Sequence, residues 1–206
     1  MAALRSQLAG QSCDTFALPA GSLLWRLYSA GGRFPVDWRR MRAWGPNDSC
    51  RFDHHEPPPH VQAREIYYAA ELPGCALAEV FGDGGMIHTK RDEPRLAQFA
   101  TSVDLVLCDL TQTWIHRVRG DYDDILSADR QSSRAWAAAI YEEYPHVHGL
   151  YYRSTWNHEW KNVALFERAA GALPLRPVSD AALADEAVEA IVKATAARYN
   201  WKVETA

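Results

Sequence analysis

The run EIYYAAELPGCALAEVF, residues 65–81, contains a change of period. A tyrosine-rich β-type run, EIYYAA, passes through Pro73 and Gly74 into an alanine-rich stretch. Pro73 falls near the first turn and Gly82 at the end, where each is tolerated, so the pattern predicts a helix over 72–82. That helix carries a single acid, Glu79, among Ala, Leu, Val and Phe. Keeping a carboxylate on so apolar a segment costs desolvation unless it has a partner or a purpose. Spacing alone leaves two readings open. Glu79 is either an ordinary helix acid, turned to solvent or paired with an arginine, or a functional group.

Outward from this run, SLLWRLYSA (22–30) reads as a strand ended by Gly31-Gly32. Residues 31–63, with two Trp, several Arg, GPNDS and EPPPH, read as a long irregular loop. Residues 1–20 are weakly patterned and read as an N-terminal arm or short helix. Downstream, AQFATSVDLVLCDL (97–110) has the character of one strand, and SSRAWAAAIYEEY (132–144) that of a helix stopped by Pro145. GLYYRS (149–154) and NVALFER (162–168) read as strands around the polar loop TWNHEWK. The segment 179 to about 199 reads as an amphipathic helix capped by Ser179, with Leu183, Ala187, Val188, Ile191 and Val192 on one face. No internal repeat occurs, and the order of elements predicts a single mixed α+β domain over 1–206 rather than regular βαβ alternation.

Composition narrows the function. Of 206 residues, 48% are hydrophobic and 23% charged, which suits a packed globular chain and neither a disordered nor a fibrous one. A net charge of −4 argues against a broad nucleic-acid-binding face. No stretch approaches a membrane span and the first 24 residues lack a secretory pattern, so a cytoplasmic location is expected. Cys13, Cys50, Cys75 and Cys108 stand singly, without a CxxC pair, and read as reduced thiols.

Four polar positions lie beside apolar or aromatic elements: Arg26 in LWRLY, Tyr68 before the helix, Glu79 within it and Ser154 at the end of GLYYRS. An arginine pairs bidentately with phosphate, a tyrosine stacks on a ring, and a carboxylate faces a developing positive charge. Brought together, they suit an anionic, ring-bearing ligand of nucleotide type. Each also has a structural reading. Arg26 can pair with an acid on a strand, and Ser154 can satisfy a turn. Tyr67 and Tyr68 alternate across a strand, so only one of them can face a site. DHHE (53–56), with His60, tempts a metal reading but lacks i, i+4 spacing, and no metal site is expected. FGDGG (81–85) follows a helix and fits a helix-ending turn better than a phosphate loop.

Several segments taken together resemble the RES domain family, named for its Arg, Glu and Ser. They are WRLY, WGPNDSCRFD, YYAAELPGCALAEVF, DLTQTWIHRVRGD, SRAWAAAIY, GLYYRSTWN and ALFER, in order, over roughly residues 22–168. The resemblance implies a fold similar to ADP-ribosyltransferase toxins and a toxin of an Xre-type toxin–antitoxin pair that consumes NAD, by hydrolysis or with phosphate as the attacking group. It implies no cofactor beyond NAD as substrate, with phosphate a possible co-substrate. It also implies a protein antitoxin as partner, no membrane, and nucleic-acid contact only through that antitoxin.

Residue by residue, the family arginine falls on Arg26, the glutamate on Glu79 and the serine on Ser154 as catalytic positions. Tyr68, Arg51 and Tyr28 fall to substrate binding. Glu79 would stabilise the oxocarbenium-like state of nicotinamide–ribose cleavage, and Ser154 would bond ribose or orient Glu79. The chain departs from the family at two points. The family's Gly-Gly-Arg-aromatic string is split here between GGRFPV (31–36) and SCRFD (49–53), and the second is preferred because it follows WGP. Arg153 stands where many members have proline before the serine. An ADP-ribosyltransferase acting on a macromolecule and a non-catalytic interaction module are the competing expectations.

Overall fold

The computed structural model describes residues 2–118, 125 and 130–205. Arg119, Gly120 and Asp121, the end of DLTQTWIHRVRGD, lie outside them. The helices are α1 (Ala2–Leu8), α2 (Pro73–Phe81), α3 (Trp114–Arg117), α4 (Arg130–Glu143) and α5 (Glu186–Tyr199). The strands are β1 (Thr15–Leu18), β2 (Leu23–Ser29), β3 (Arg42–Gly45), β4 (His60–Ala70), β5 (Met86–His88), β6 (Pro94–Ala100), β7 (Leu105–Asp109), β8 (Gly149–Arg153), β9 (Lys161–Phe166), β10 (Ser179–Ala182) and β11 (Lys202–Glu204). The chain is a mixed α+β fold, as its pattern predicted.

Nine strands form one sheet in the order β1-β7-β8-β9-β4-β2-β6-β10, with β3 paired to β4 off that path. Among the described residues only β7 and β8 run parallel within it. The strand β4 is the hinge of the architecture. Along one edge it pairs with β9 from Ile66 to Ala70. Along the other it meets β3 over its first half and β2 only at Trp25↔Ala70. Beyond that single pair β2 leaves β4 and stays with β6, from Leu23↔Ala100 to Ser29↔Pro94. The sheet therefore splits between β2 and β4, and a cleft opens at the split.

Strand alternation gives each face its own core. One face carries Ile66, Leu150, Tyr152, Ala164 and Phe166 against Leu8 of α1, Trp114 of α3 and Trp136 and Ile140 of α4. On the same side, Ala70 and Leu96 pack with Cys75 and Leu77 of α2 and Val188 and Val192 of α5. The opposite face packs Leu24, Tyr28, Tyr67, Phe99 and Leu165 against Trp38, Met41 and Leu173.

Three expectations are corrected. The run 97–110 is two strands, β6 and β7, on separate parts of the sheet, because the polar turn Thr101–Asp104 breaks it; Thr101 N–H bonds Ser22 O and Ser102 N–H bonds Ala172 O. The segment 179–199 is strand then helix: Ser179 pairs with Gln98 in β10, and α5 starts at Glu186 after Asp185. Ala187 is accordingly exposed, whereas Val188 and Val192 are buried. The loop 31–63 contains β3 and the start of β4. The short parallel pair β5 and β11 was not predicted. Among the described residues no helix is long and apolar enough to cross a membrane.

Candidate active site

The cleft has a volume of about 1380 Å³, and its walls include Arg26, Tyr28, Trp44, Arg51, Tyr68, Glu79, Tyr152 and Asn162. Its cationic walls stand out on an acidic chain: Arg26, Arg33, Arg40, Arg42, Arg51, Arg91 and Arg130 line it, against the acids Glu79 and Asp92. Such a wall favours anions.

Glu79 comes from α2, which buries Cys75, Ala76, Leu77 and Ala78. Its Oε1 accepts two hydrogen bonds, from Ser154 Oγ at 2.7 Å and from Asn162 Nδ2 at 2.9 Å. Ser154 is fully buried, and its Oγ in turn accepts the Trp156 N–H at 3.1 Å. The Ser154 hydroxyl is thus engaged with the Glu79 carboxylate and the Trp156 backbone. Glu79 remains open to water through the cleft, yet protein atoms crowd its carboxyl, and that burial pushes its pKa above the ordinary value; Ser154, the Arg51 charge and Asn162 oppose the rise. The helix ends at Gly82, where a Cβ would meet the Trp156 indole at 2.1 Å, and Gly85 closes the turn with φ +60°. FGDGG is thus a helix-ending turn that seats Trp156.

Arg51 reaches the site from the connection between β3 and β4. Buried Asp53 anchors that connection: it accepts from Arg42 Nη2 at 2.9 Å and Asn47 N–H at 2.6 Å and also bonds the His55 ring. Burial alone would raise the Asp53 carboxyl, but the His55 ring, Arg42 and Asn47 together hold it well below the usual carboxylate range. Phe52, next to Arg51, has φ 56°, an outlier for an aromatic residue, and its fully buried ring packs 4.5 Å from Tyr152. Arg51 Nη1 donates to Thr155 Oγ1 at 3.1 Å, whereas its buried Nε has no hydrogen-bond partner. DHHE is therefore structural at Asp53 and His55.

Arg26 stands on the other face of the sheet. Alternation places it with Leu24 and Tyr28, and its guanidinium stacks 4.0 Å above the Tyr67 ring. Its Nη1 is buried without a hydrogen-bond partner. Tyr67 donates to Trp38 O at 2.9 Å, and burial pushes its hydroxyl up to about 12 against the nearby Arg26. Tyr68 takes the opposite face, as alternation requires, lines the cleft and donates to Arg51 O at 2.5 Å. The hydroxyl of Tyr28 is already engaged, with Asp180 at 2.8 Å and Arg95 at 3.1 Å, so only its ring is available to a ligand.

Five of the six expected residues, Arg26, Tyr28, Arg51, Tyr68 and Glu79, line one cleft, and Ser154 lies buried behind it, bonded to Glu79. Sequence reasoning missed Asn162, which stood in NVALFER only as the start of a strand. One signal was available: Asn162 shares the parity of Ala164 and Phe166, which face the core, and a polar residue there needs a partner. Arg153 donates to Thr111 O at 2.9 Å.

The RES domain family model matches residues 23–187. The chain belongs to the RES family. No curated protein matches this RES chain in sequence. Its fold is similar to that of a solved structure described as the M.tuberculosis MbcT-MbcA toxin-antitoxin complex, with a TM-score of 0.55 at 15% identity over 96% of this chain and 94% of that one. At that identity the likeness establishes a shared fold.

Proposed function

We propose that this RES protein is a cytoplasmic toxin that degrades NAD at the nicotinamide–ribose bond and is held in check by an antitoxin. The observation that carries the reading is the pairing, in one cleft, of an anchored carboxylate with two half-buried arginines, each with one buried N–H, at Arg26 Nη1 and Arg51 Nε, that has no protein partner. Buried donors without partners are costly unless a ligand completes them. A diphosphate does so, through charge-assisted bonds to Arg26 and Arg51. Tyr68 and the ring of Tyr28 offer aromatic surface for the nicotinamide or its ribose.

In the reaction the C1′–N bond of the nicotinamide riboside breaks, and its electron pair neutralises the pyridinium nitrogen. Nicotinamide leaves neutral without a general acid. Glu79 stabilises the cationic ribose that forms, and an oxygen of water or phosphate bonds to C1′; with water, the displaced proton goes to solvent. The same carboxylate serves either nucleophile.

An antitoxin of Xre type, with any nucleic-acid contact made through it, is proposed from the family and from the partner in the similar complex. The exposed Phe34, Trp44, Val61 and Val80 at the cleft give such a protein apolar surface to cover. A second reading, transfer of ADP-ribose to a macromolecule, is favoured by cleft size, since a pocket for a small ligand is typically about 300–1,000 Å³.

The test is NAD consumption by the purified chain, with and without inorganic phosphate, following nicotinamide. Phosphate-dependent release with a phosphorylated ADP-ribose product identifies a phosphorylase. Free ADP-ribose without phosphate identifies a glycohydrolase. No nicotinamide release in either condition overturns the reading.

A further inference from the structure

We propose that Asn162 is a positioning residue for Glu79 and that the Cys75 thiol fixes the orientation of its amide, so that Oε1 is anchored and Oε2 faces the cleft. The inference rests on Glu79 being the working carboxylate. Cys75 and Glu79 are four residues apart on α2 and so share a helix face. Below them, buried Asn162 accepts the Cys75 Sγ–H through Oδ1 at 3.0 Å and donates Nδ2–H to Glu79 Oε1 at 2.9 Å.

The direction of every bond in this relay is forced. An ionised carboxylate only accepts, so Nδ2 must face Glu79. Oδ1 must then face Cys75, which can donate only as a thiol. Burial, reinforced by the Glu79 charge, pushes the thiol up to about 12, so it keeps its proton at neutral pH. Rotating the amide by 180° would set Oδ1 against the carboxylate and break both bonds. Oε1, with two donors, is held in place. Among the described residues none donates a hydrogen bond to Oε2, and it belongs to a side chain that lines the cleft.

The electrostatic surroundings of Glu79 are otherwise set by Arg51 from the β3–β4 connection, Asp83 after α2, Tyr152 of β8 and Tyr199 of α5. Arg130 lies on the cleft wall with Asp83 as its partner at 2.8 Å. None of these touches Oε1. Asn162 thus stabilises the ionised carboxylate that the reaction needs and prevents its rotation.

The test uses the full chain with Asn162→Asp, Asn162→Ala, Cys75→Ala and Cys75→Ser, each checked for folding by thermal unfolding. Two readouts are taken: the pH profile of NAD turnover, and the titration of the Glu79 carboxyl by carbon NMR. Asn162→Asp places a second negative charge beside Glu79. It is expected to move both the acid limb of the profile and the NMR titration upward by about one pH unit or more. Asn162→Ala is expected to lower kcat about tenfold with KM little changed. Cys75→Ser, whose hydroxyl also donates, should retain the wild-type profile, whereas Cys75→Ala should shift it as Asn162→Ala does.

Unchanged titration in both Asn162 variants, or identical behaviour of Cys75→Ala and Cys75→Ser, overturns the inference. If the wild-type chain consumes no NAD, the proposed function fails, yet the NMR titration still decides whether Asn162 governs Glu79. If Asn162→Asp does not fold, Asn162→Ala and the Cys75 pair carry the same two readouts.

Discussion

On one side of β4 stands Glu79, whose anchored oxygen is supplied by Ser154 and Asn162, each of them buried and bonded onward to Trp156 or Cys75. On the other side stands Arg26, which rests on the Tyr67 ring and keeps an Nη1 with no hydrogen-bond partner. The two face one cleft because β2 leaves β4 after Trp25↔Ala70. The difference is one of completeness. The anchored oxygen of Glu79 has both its donors, whereas Arg26, like the Arg51 Nε on the Glu79 side, keeps a buried donor with no protein partner. A buried donor without a partner costs stability unless another group completes it.

The strongest way to break this comparison is Glu79→Gln. The amide oxygen can still accept from Ser154 and Asn162, so the architecture is kept while the charge is lost. NAD turnover is expected to fall at least about a thousandfold. Nicotinamide release near the wild-type rate from a folded Glu79→Gln chain would remove Glu79 from the mechanism.

On the other side, Arg26→Ala is expected to raise KM about tenfold or more, through loss of a diphosphate contact. Arg26→Lys should restore little, because an ammonium neither stacks on Tyr67 as a planar cation nor presents the same donor. Arg51→Ala should combine a KM effect with a fall in kcat, since Arg51 is the cation whose charge acts on Glu79. Equal kinetic signatures for Arg26→Ala and Arg51→Ala would erase the distinction between the two sides.

How much of this could be read from the chain follows from the range of each signal. β2 and α2 were legible because an apolar, aromatic run ended by Gly31-Gly32 and a Pro-to-Gly bounded helix are local patterns. The strand–helix junction at 179–186 was not, because alanines fit either state and Ser179 finds its partner, Gln98, far away in sequence. The break at Thr101–Asp104 was hidden by its brevity. Arg26, Glu79 and Ser154 were singled out through the resemblance and through their contrast with apolar neighbours. Asn162 was hidden at the first turn of a strand-like run. Arg51 was ambiguous because loops carry no period; its place depends on Asp53 closing with Arg42, Asn47 and His55.

That closure is itself open to measurement. Asp53→Asn removes a buried charge that Arg42 and His55 depend on, and is expected to cost about 3 kcal/mol of stability at neutral pH. The Asp53 carboxyl lies below its ordinary 3.8 when folded, so it contributes stability above that value and loses it as pH falls. Acid unfolding curves of wild type and Asp53→Asn should therefore converge below pH 3.8. Parallel curves at every pH would show that Asp53 is not the anchor.

The smallest expected effect has the opposite sign and comes from Glu79. Burial raises its pKa above the ordinary 4.5 in the folded chain, so the folded state binds its proton more tightly than the unfolded state does. The stability from that proton is fully present below 4.5 and is lost as pH rises through the folded value. At neutral pH, ionised Glu79 is therefore expected to weaken the fold slightly. Glu79→Gln, already expected to abolish turnover, should accordingly unfold at a slightly higher temperature than wild type at pH 7. The gain should vanish in acid, where the native residue is protonated as well. A Tm at pH 7 below that of wild type would mean that the ionised form stabilises the fold, and that the carboxylate side is an ordinary structural ion site. A raised Tm together with lost activity is the stability–function trade expected of a site whose charge is kept for a ligand.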